Sequence, residues 1–335
     1  MAFSPQVDAA ANDPLLAQQW GIFAIGADRV WAVTTGKGVT VAVVDSGSGP
    51  HPDLADNLLP GRSYFSSVET QDGNDIDTSG HGSHVAGIIA AAANNGIGGS
   101  GVAPNAKILP IKVLDQVGQG DARDVAAGVR FAADNGAKVI NGSFGKDYSP
   151  HKEWVWEAMK YAESKDVLIV LAAGNDGKNV DVEPNYPEDT PDKKTELVNN
   201  VIKVGAINYN YGEGVVADFS NYGATNVDVF APGVKIYATI PNGKYKFEQG
   251  TSMASPNVAG VAALIRSYYP NLKANQVKQI IMQSGVTLAF DVKVGEEALK
   301  IPFSQTCISG KIVNAYNALK MAEELSSQLK KEPKL

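Results

Sequence analysis

Six short runs rich in β-branched residues, at 39–45, 107–114, 138–141, 167–173, 201–206 and 227–230, alternate with stretches of helical periodicity. The helical stretches fall at 81–92, 121–135, 152–165, 252–269, 275–284 and 313–329. Apolar runs that show no polar face argue for strands buried on both sides, and the intervening helices supply the cover. The predicted fold class is α/β: a doubly wound, mainly parallel sheet with helices on both faces. No repeat or low-complexity linker interrupts the pattern, so one domain is expected over 1–329. The last residues, Lys330-Lys331-Glu332-Pro333-Lys334-Leu335, read as a solvated tail.

Open sheets of this kind bind ligands beyond the carboxyl ends of their strands. Four chemically able side chains fall on that rim. Asp45 ends Val41-Ala42-Val43-Val44-Asp45-Ser46-Gly47, and Asn175 follows the fourth predicted strand in Ala172-Ala173-Gly174-Asn175-Asp176-Gly177. His81 opens a helix in His81-Gly82-Ser83-His84-Val85-Ala86-Gly87, and Ser252 opens another in Gly250-Thr251-Ser252-Met253-Ala254-Ser255-Pro256. A serine hydroxyl becomes a useful nucleophile only when a neighbouring base removes its proton. His81 is the candidate base, Asp45 the group that orients its ring, and Asn175 a donor for a developing oxyanion. Taken singly, Ser252 also reads as a helix cap, Asp45 as a strand-end carboxylate and Asn175 as a turn residue.

Together, in the chain order Asp, His, Ser, these segments resemble the subtilisin-like serine proteases, or subtilases, from about Asn12 to about Leu319. The resemblance implies an endopeptidase that forms an acyl-enzyme on Ser252, with protein and peptide substrates. An esterase or transacylase with the same triad, or a silent binding scaffold of the same fold, are the alternatives. The segment Val139-Ile140-Asn141-Gly142-Ser143-Phe144-Gly145 resembles the family's wall of the pocket for P1, the residue preceding the cleaved bond. Ser143, Phe144 and Gly145 are expected to form that wall, with Ala172, Ala173 and Gly174 as its floor. These side chains are small or apolar, so P1 should be broad and favour large apolar residues, with Asp176 admitting basic ones. Gly118 and Gly120, in Gly118-Gln119-Gly120, resemble the edge that pairs with extended substrate backbone. Gly142 stands where a bulkier residue such as Met is common, and Ser83 where Thr is common. The resemblance also implies that the Tyr186-Pro187 bond is cis.

The loop Ala93-Asn94-Asn95-Gly96-Ile97-Gly98-Gly99-Ser100-Gly101 resembles the family segment that holds a structural calcium ion (Ca2+). The resemblance implies the Asn95 side chain and the carbonyls of Ala93, Ile97 and Gly99 as ligands, with Asp53 as the bidentate carboxylate and Asp13 tying down the N-terminal arm. Calcium takes six to eight oxygens of this mixed kind. A second candidate site is Asp72, Asn74, Asp75 and Asp77, where a solvated acidic loop is the competing account. Of the four histidines, His84 is read as structural, and His51 and His151 as uninvolved in the chemistry.

The net charge of −7 disfavours nucleic acid or an anionic membrane surface as partner. One cysteine, Cys307, excludes an internal disulfide and reads as a small buried side chain. Met1 is followed by Ala-Phe-Ser-Pro-Gln rather than a basic region and an apolar run. Subtilases are usually secreted behind a signal and a folding propeptide. The expectation is therefore a secreted (alternatively periplasmic) enzyme from which both have been removed, working as a monomer.

Overall fold

The computed structural model describes residues 12–65, 68–70 and 76–329. The chain opens with a short helix α1 (Trp20–Ala24) and enters strand β1 (Thr40–Asp45). Strands β2 (Arg62–Phe65) and β3 (Val68–Thr70) precede helix α2 (His81–Ala90). The repeating part follows: β4 (Lys107–Lys112), α3 (Ala122–Asp134), β5 (Val139–Gly142), α4 (Lys152–Ser164), β6 (Leu168–Ala172) and β7 (Val201–Ile207). Then come β8 (Val229–Pro232), the hairpin β9 (Ile236–Ile240) and β10 (Lys244–Glu248), and the helices α5 (Thr251–Tyr268) and α6 (Ala274–Ser284). The described chain closes with β11 (Val286–Thr287), the hairpin β12 (Asp291–Val294) and β13 (Leu299–Pro302), β14 (Lys311–Ile312) and α7 (Ala315–Leu329).

Ten strands form one sheet in the order β11-β14-β8-β7-β6-β5-β1-β4-β2-β3. All neighbours are parallel except the edge pairs β11–β14 and β2–β3. Strand β1 sits between β4 and β5, so the chain winds outward from it in both directions. That reversal opens a crevice at the carboxyl end of β1, where Asp45 stands.

Alternation along each strand divides the core. Val41, Val43, Val139, Leu168, Val170, Ile202 and Val204 face one layer with α2, α5, α6 and α7. Ala42, Val44, Ile140, Ile169, Leu171 and Val201 face the other, against α3 and α4. Each strand therefore buries both faces, as a period of two requires in a covered parallel sheet. Helix α5 is buried on nearly every side, from Thr251 to Arg266. No helix among the described residues is long and apolar enough to cross a membrane.

The predicted elements form with ends moved by a few residues. The last strand starts at Val229 rather than 227, and the last helix at Ala315 rather than 313. The hairpins β9–β10 and β12–β13 are additions. Strand β10 is largely exposed and carries Lys244, Lys246 and Glu248, so no apolar run marks it. The Tyr186-Pro187 bond is cis, as is Gly49-Pro50.

Leu168 is fully buried in the larger core layer. Its replacement by Ala should lower the stability by about 2–5 kcal/mol, read as a fall in the denaturation midpoint at constant slope.

Candidate active site

Strand β1 delivers Asp45 into the interior with no exposed surface. Its Oδ1 lies 2.8 Å from His81 Nδ1 and accepts the Ser46 N–H at 2.7 Å, while Oδ2 is buried with no hydrogen-bond partner among the described residues. Because Nδ1 donates to the carboxylate, a neutral His81 ring carries its free lone pair on Nε2. The approach depends on Gly82. A Cβ there would sit 2.0 Å from the Gly47 carbonyl oxygen and 3.2 Å from the Asp45 Cβ. Burial pulls the His81 pKa down, but the charge and hydrogen bond of Asp45 overcome it, aided by Glu248 and Asp77, and the ring ends at about 9.

Asp77, expected as a cation ligand, instead serves the start of α2. Its Oδ1 accepts from Ser79 N, Gly80 N and Ser46 Oγ, and its Oδ2 from Ser83 N. The first N–H groups of a helix lack internal partners, and a carboxylate satisfies them best. Both of its oxygens accept from these donors, so in this structure the carboxylate caps the helix. Asp72, Asn74 and Asp75 lie outside the described residues.

Ser252 enters the site on the first turn of α5. Gly250, the residue before that helix, has φ of 150°, a conformation that glycine adopts without strain. Pro256 lacks an N–H, so the Ser252 carbonyl four residues earlier loses its helical partner. Ser143 Oγ fills the gap, donating to Ser252 O at 2.9 Å. The Ser252 hydroxyl in turn donates to Ser143 O at 2.9 Å rather than to His81. Rotation about its Cα–Cβ bond is needed to redirect that proton.

Asn175 is fixed through its oxygen, which accepts Thr251 N at 2.8 Å and Thr251 Oγ1 at 2.9 Å. Its Nδ2 makes no hydrogen bond among the described residues and stays available beside Ser252. Both residues line a cavity of about 260 Å³ with Phe144, Gly145, Ala172 and Gly174. Two of the expected lining residues are turned inward. The Ser143 hydroxyl is enclosed by Asn141, Ser255 and Ser252, and Ala173 packs in the core with Val180 and Phe230. The absent side chain at Gly142 leaves space that Leu171 and the Phe144 ring approach to 3.1 and 3.3 Å.

Gly118 and Gly120 border an adjoining cavity of about 130 Å³, together with Phe144, Trp156 and Tyr186. They lie in a turn held by Asp115 Oδ1, which accepts from Val117 N and Gln119 N, and not in a strand. Asn221 was not foreseen: it accepts from Asp176 N and Lys178 N and donates to Ala173 O, so it holds the loop that carries Asn175. Its partners lie some forty residues away in sequence, and no local signal marks it.

The other histidines act as struts. His84 Nε2 is 3.0 Å from the Lys246 carbonyl and His51 Nε2 is 3.0 Å from that of Lys244, so each ring donates to β10. Burial holds both below the usual imidazole range. His151 stacks on Trp154, and Cys307 is fully buried.

Asp53 and Asp13 are both buried. Asp53 accepts from Asn95 Nδ2 at 2.7 Å and Tyr245 OH at 3.2 Å, and Asp13 from the backbone N–H groups of Asn94 and Asn95. Burial raises the Asp53 pKa; the three hydrogen bonds it accepts lower it, and the Asp13 charge raises it further. Two buried carboxylates with no ion-paired base among the described residues fit a cation, with the Asn95 amide and nearby carbonyls completing an oxygen-rich set. No group of three or more Asp, Glu, His or Cys forms a metal cluster among the described residues. Amide and carbonyl oxygens would therefore have to supply most ligands.

With this geometry in place, comparison with known proteins is direct. Residues 36–301 match the model of the subtilase family. The chain is 41% identical over 259 residues to thermitase of Thermoactinomyces vulgaris, covering 76% of this chain and 85% of that protein. It is 40% identical over 294 residues to a thermophilic serine proteinase of Bacillus sp. (strain AK1), covering 87% of this chain and 64% of the relative. A solved protease structure from Pseudoalteromonas arctica superimposes with a TM-score of 0.77 at 31% identity, covering 94% of this chain and all of that one. The chain belongs to the subtilase family, and its class is that of the serine endopeptidases.

Proton NMR of the isolated chain should place the His81 titration near pH 9 instead of the ordinary 6.5. In Asp45→Asn the counter-charge is lost while burial remains, so the midpoint should fall below 6.5.

Proposed function

We propose that residues 12–329 act as one peptidase unit that hydrolyses peptide bonds through an acyl-enzyme on Ser252. The observation that carries this reading is the half-buried His81 held at 2.8 Å by the buried Asp45, on the rim where Ser252 and Asn175 border one cavity. In the neutral ring, Nε2 accepts the Ser252 proton once the hydroxyl turns from Ser143 O, and the oxygen attacks the substrate carbonyl. Asp45 keeps the ring in the required tautomer and stabilises the imidazolium that forms. The Asn175 amide and the Ser252 backbone N–H donate to the oxyanion, and His81 returns its proton to the leaving amine. The ring must be neutral to start this sequence, so turnover rises with pH toward the His81 midpoint.

The cavity beside Ser252 would take the P1 side chain; Phe144, Ala172 and its glycines support a broad preference for apolar residues, and Asp147 and Asp176 on its border support acceptance of basic ones. The adjoining cavity, bordered by Gly118 and Gly120, would take a further side chain of an extended peptide. Calcium would be held by Asp13, Asp53, Asn95 and the carbonyls of Ala93, Ile97 and Gly99, where it neutralises the paired carboxylates and ties the N-terminal arm to the loop. The sequence resemblance supports a secreted monomer released from its propeptide.

Fluorophosphonate should label Ser252 in the folded protein. Ser252→Ala and His81→Ala should each cost on the order of 10⁶-fold in kcat, the size found for subtilisin, and the double variant should be little worse. Additive losses would overturn a shared mechanism.

A bound ion stabilises the folded state by mass action. Thermal unfolding with a calcium chelator should therefore show a lower Tm than with calcium, and Asp53→Asn should abolish the difference. Superimposable curves for the unaltered protein would remove calcium from this account.

A further inference from the structure

Strand β7 carries a lysine where a covered parallel strand calls for an apolar side chain. Lys203 is paired with Leu171 of β6 and is 1% exposed. Burying an ammonium is costly unless opposite charges and acceptors surround it. Those partners are present. Lys203 Nζ donates to the Asn185 carbonyl at 3.3 Å, and the charges that face it belong to Asp189, Glu188, Asp228 and Asp181. Asp189, Glu188 and Asp228 are themselves buried. Asp228 Oδ2 also accepts the Lys203 N–H at 2.7 Å, while its Oδ1 lies 3.4 Å from Lys278 of α6.

The segment above this ammonium is the wall shared by the two cavities. Asn185 borders the cavity that holds Ser252, and Tyr186, Pro187 and Glu188 border the adjoining one. On its outer side the segment is held by Lys146 and Lys152, by Trp156 Nε1, which donates to the Glu188 carbonyl at 2.8 Å, and by Leu197 N, which donates to the Asp189 carbonyl at 2.6 Å. Tyr186 exchanges two backbone hydrogen bonds with Lys146, at 2.8 and 2.9 Å, and its hydroxyl accepts from Lys152 Nζ at 3.1 Å. From inside, Lys203 supplies the one basic side chain that hydrogen-bonds the backbone of residues 185–189 among the described contacts. Without it, the buried Asp189 and Asp228 face each other below the wall with Lys278 left to balance them, while Glu188 keeps only the more distant charges of Lys152 and Lys193 on its other side.

We propose that Lys203 is a positioning residue for substrate selection, holding residues 185–189 in place beneath both cavities while touching none of the reacting groups. The proposal rests on the reading that these cavities receive substrate side chains. It predicts that a neutral residue at 203 loosens the wall and weakens binding of substrates that use it. Chemistry at Ser252 is spared.

The test compares Lys203→Met, similar in length and uncharged, with the unaltered enzyme on two substrates. One is p-nitrophenyl acetate, an ester with no side chain to enter either cavity; the other is a tetrapeptide anilide long enough to reach both cavities. In Lys203→Met, kcat/KM for the anilide should fall about tenfold, mainly through KM, a size typical of one altered pocket contact. Ester hydrolysis and fluorophosphonate labelling should stay within about twofold. The double variant Lys203→Met/Asp189→Asn, which removes one of the stranded carboxylates, should recover part of the anilide loss. A merely structural role would not produce that rescue. Equal losses on both substrates, or an unchanged anilide KM, would overturn the proposal alone. An unaltered enzyme indifferent to the side chains of the anilide would overturn the cavity reading and this proposal with it. If Lys203→Met does not accumulate, Asp189→Asn alone decides. A shift in the anilide-to-ester ratio of about threefold or more supports the proposal, and no shift rejects it.

Discussion

The close seating of the first turn of α2 on the end of β1 is the contact on which the site depends. Gly82 presents no side chain, so its N–H reaches Ser46 Oγ at 3.0 Å while His81 reaches Asp45. Ser46 donates its hydroxyl hydrogen bond to Asp77, whose carboxylate accepts from the free N–H groups of the same helix. A carboxylate buried like Asp45 is costly unless its charge is answered. The same burial that makes Asp45 expensive gives it strong leverage over His81, and the ring is held basic against its own desolvation.

The second requirement is a serine at a helix start that is both fixed and reactive. Helix α5 is sealed inside the molecule, so its first turn cannot drift. Pro256 removes one helical hydrogen bond within that turn, and Ser143 replaces it from β5's connection, so the backbone at Ser252 is tied to the neighbouring strand end. The unpaired N–H groups of a helix N-terminus favour negative charge, and Asn175, anchored by Thr251, adds a side-chain donor on the same side. Positioning and electrostatics here come from one piece of structure.

Around this centre, polar groups inside the fold serve as ties. His51 and His84 bind the carbonyls of β10, Tyr245 of the same strand reaches Asp53, and Asn221 braces the Asn175 loop. Lys203 belongs with them, although it carries a full charge into a strand. A neutral strut needs one acceptor, whereas a buried ammonium needs several carboxylates arranged about it. That demand ties the long connection between β6 and β7 to the sheet.

The alternation of apolar runs with helical stretches was enough to define the mainly parallel sheet, because period and composition are local properties. Asp45, His81, Asn175 and Ser252 were legible for the same reason: strand ends and helix starts in such a sheet share one rim. Hairpin β9–β10 was not legible, since its outer strand is charged and its register is set by contacts with α2 and Asp53. Packing also decided which way side chains turned. Ser143 and Ala173 were expected at the cavity and are enclosed, Gly118 and Gly120 border the neighbouring cavity from a turn, and Asp77 caps a helix. The Ser252 hydroxyl rests on Ser143, 109 residues away in sequence. Residue types and their order determined which chemistry this chain can present. Orientation, partner and charge state were decided by tertiary structure, because each depends on atoms that only the folded chain brings within 3 Å.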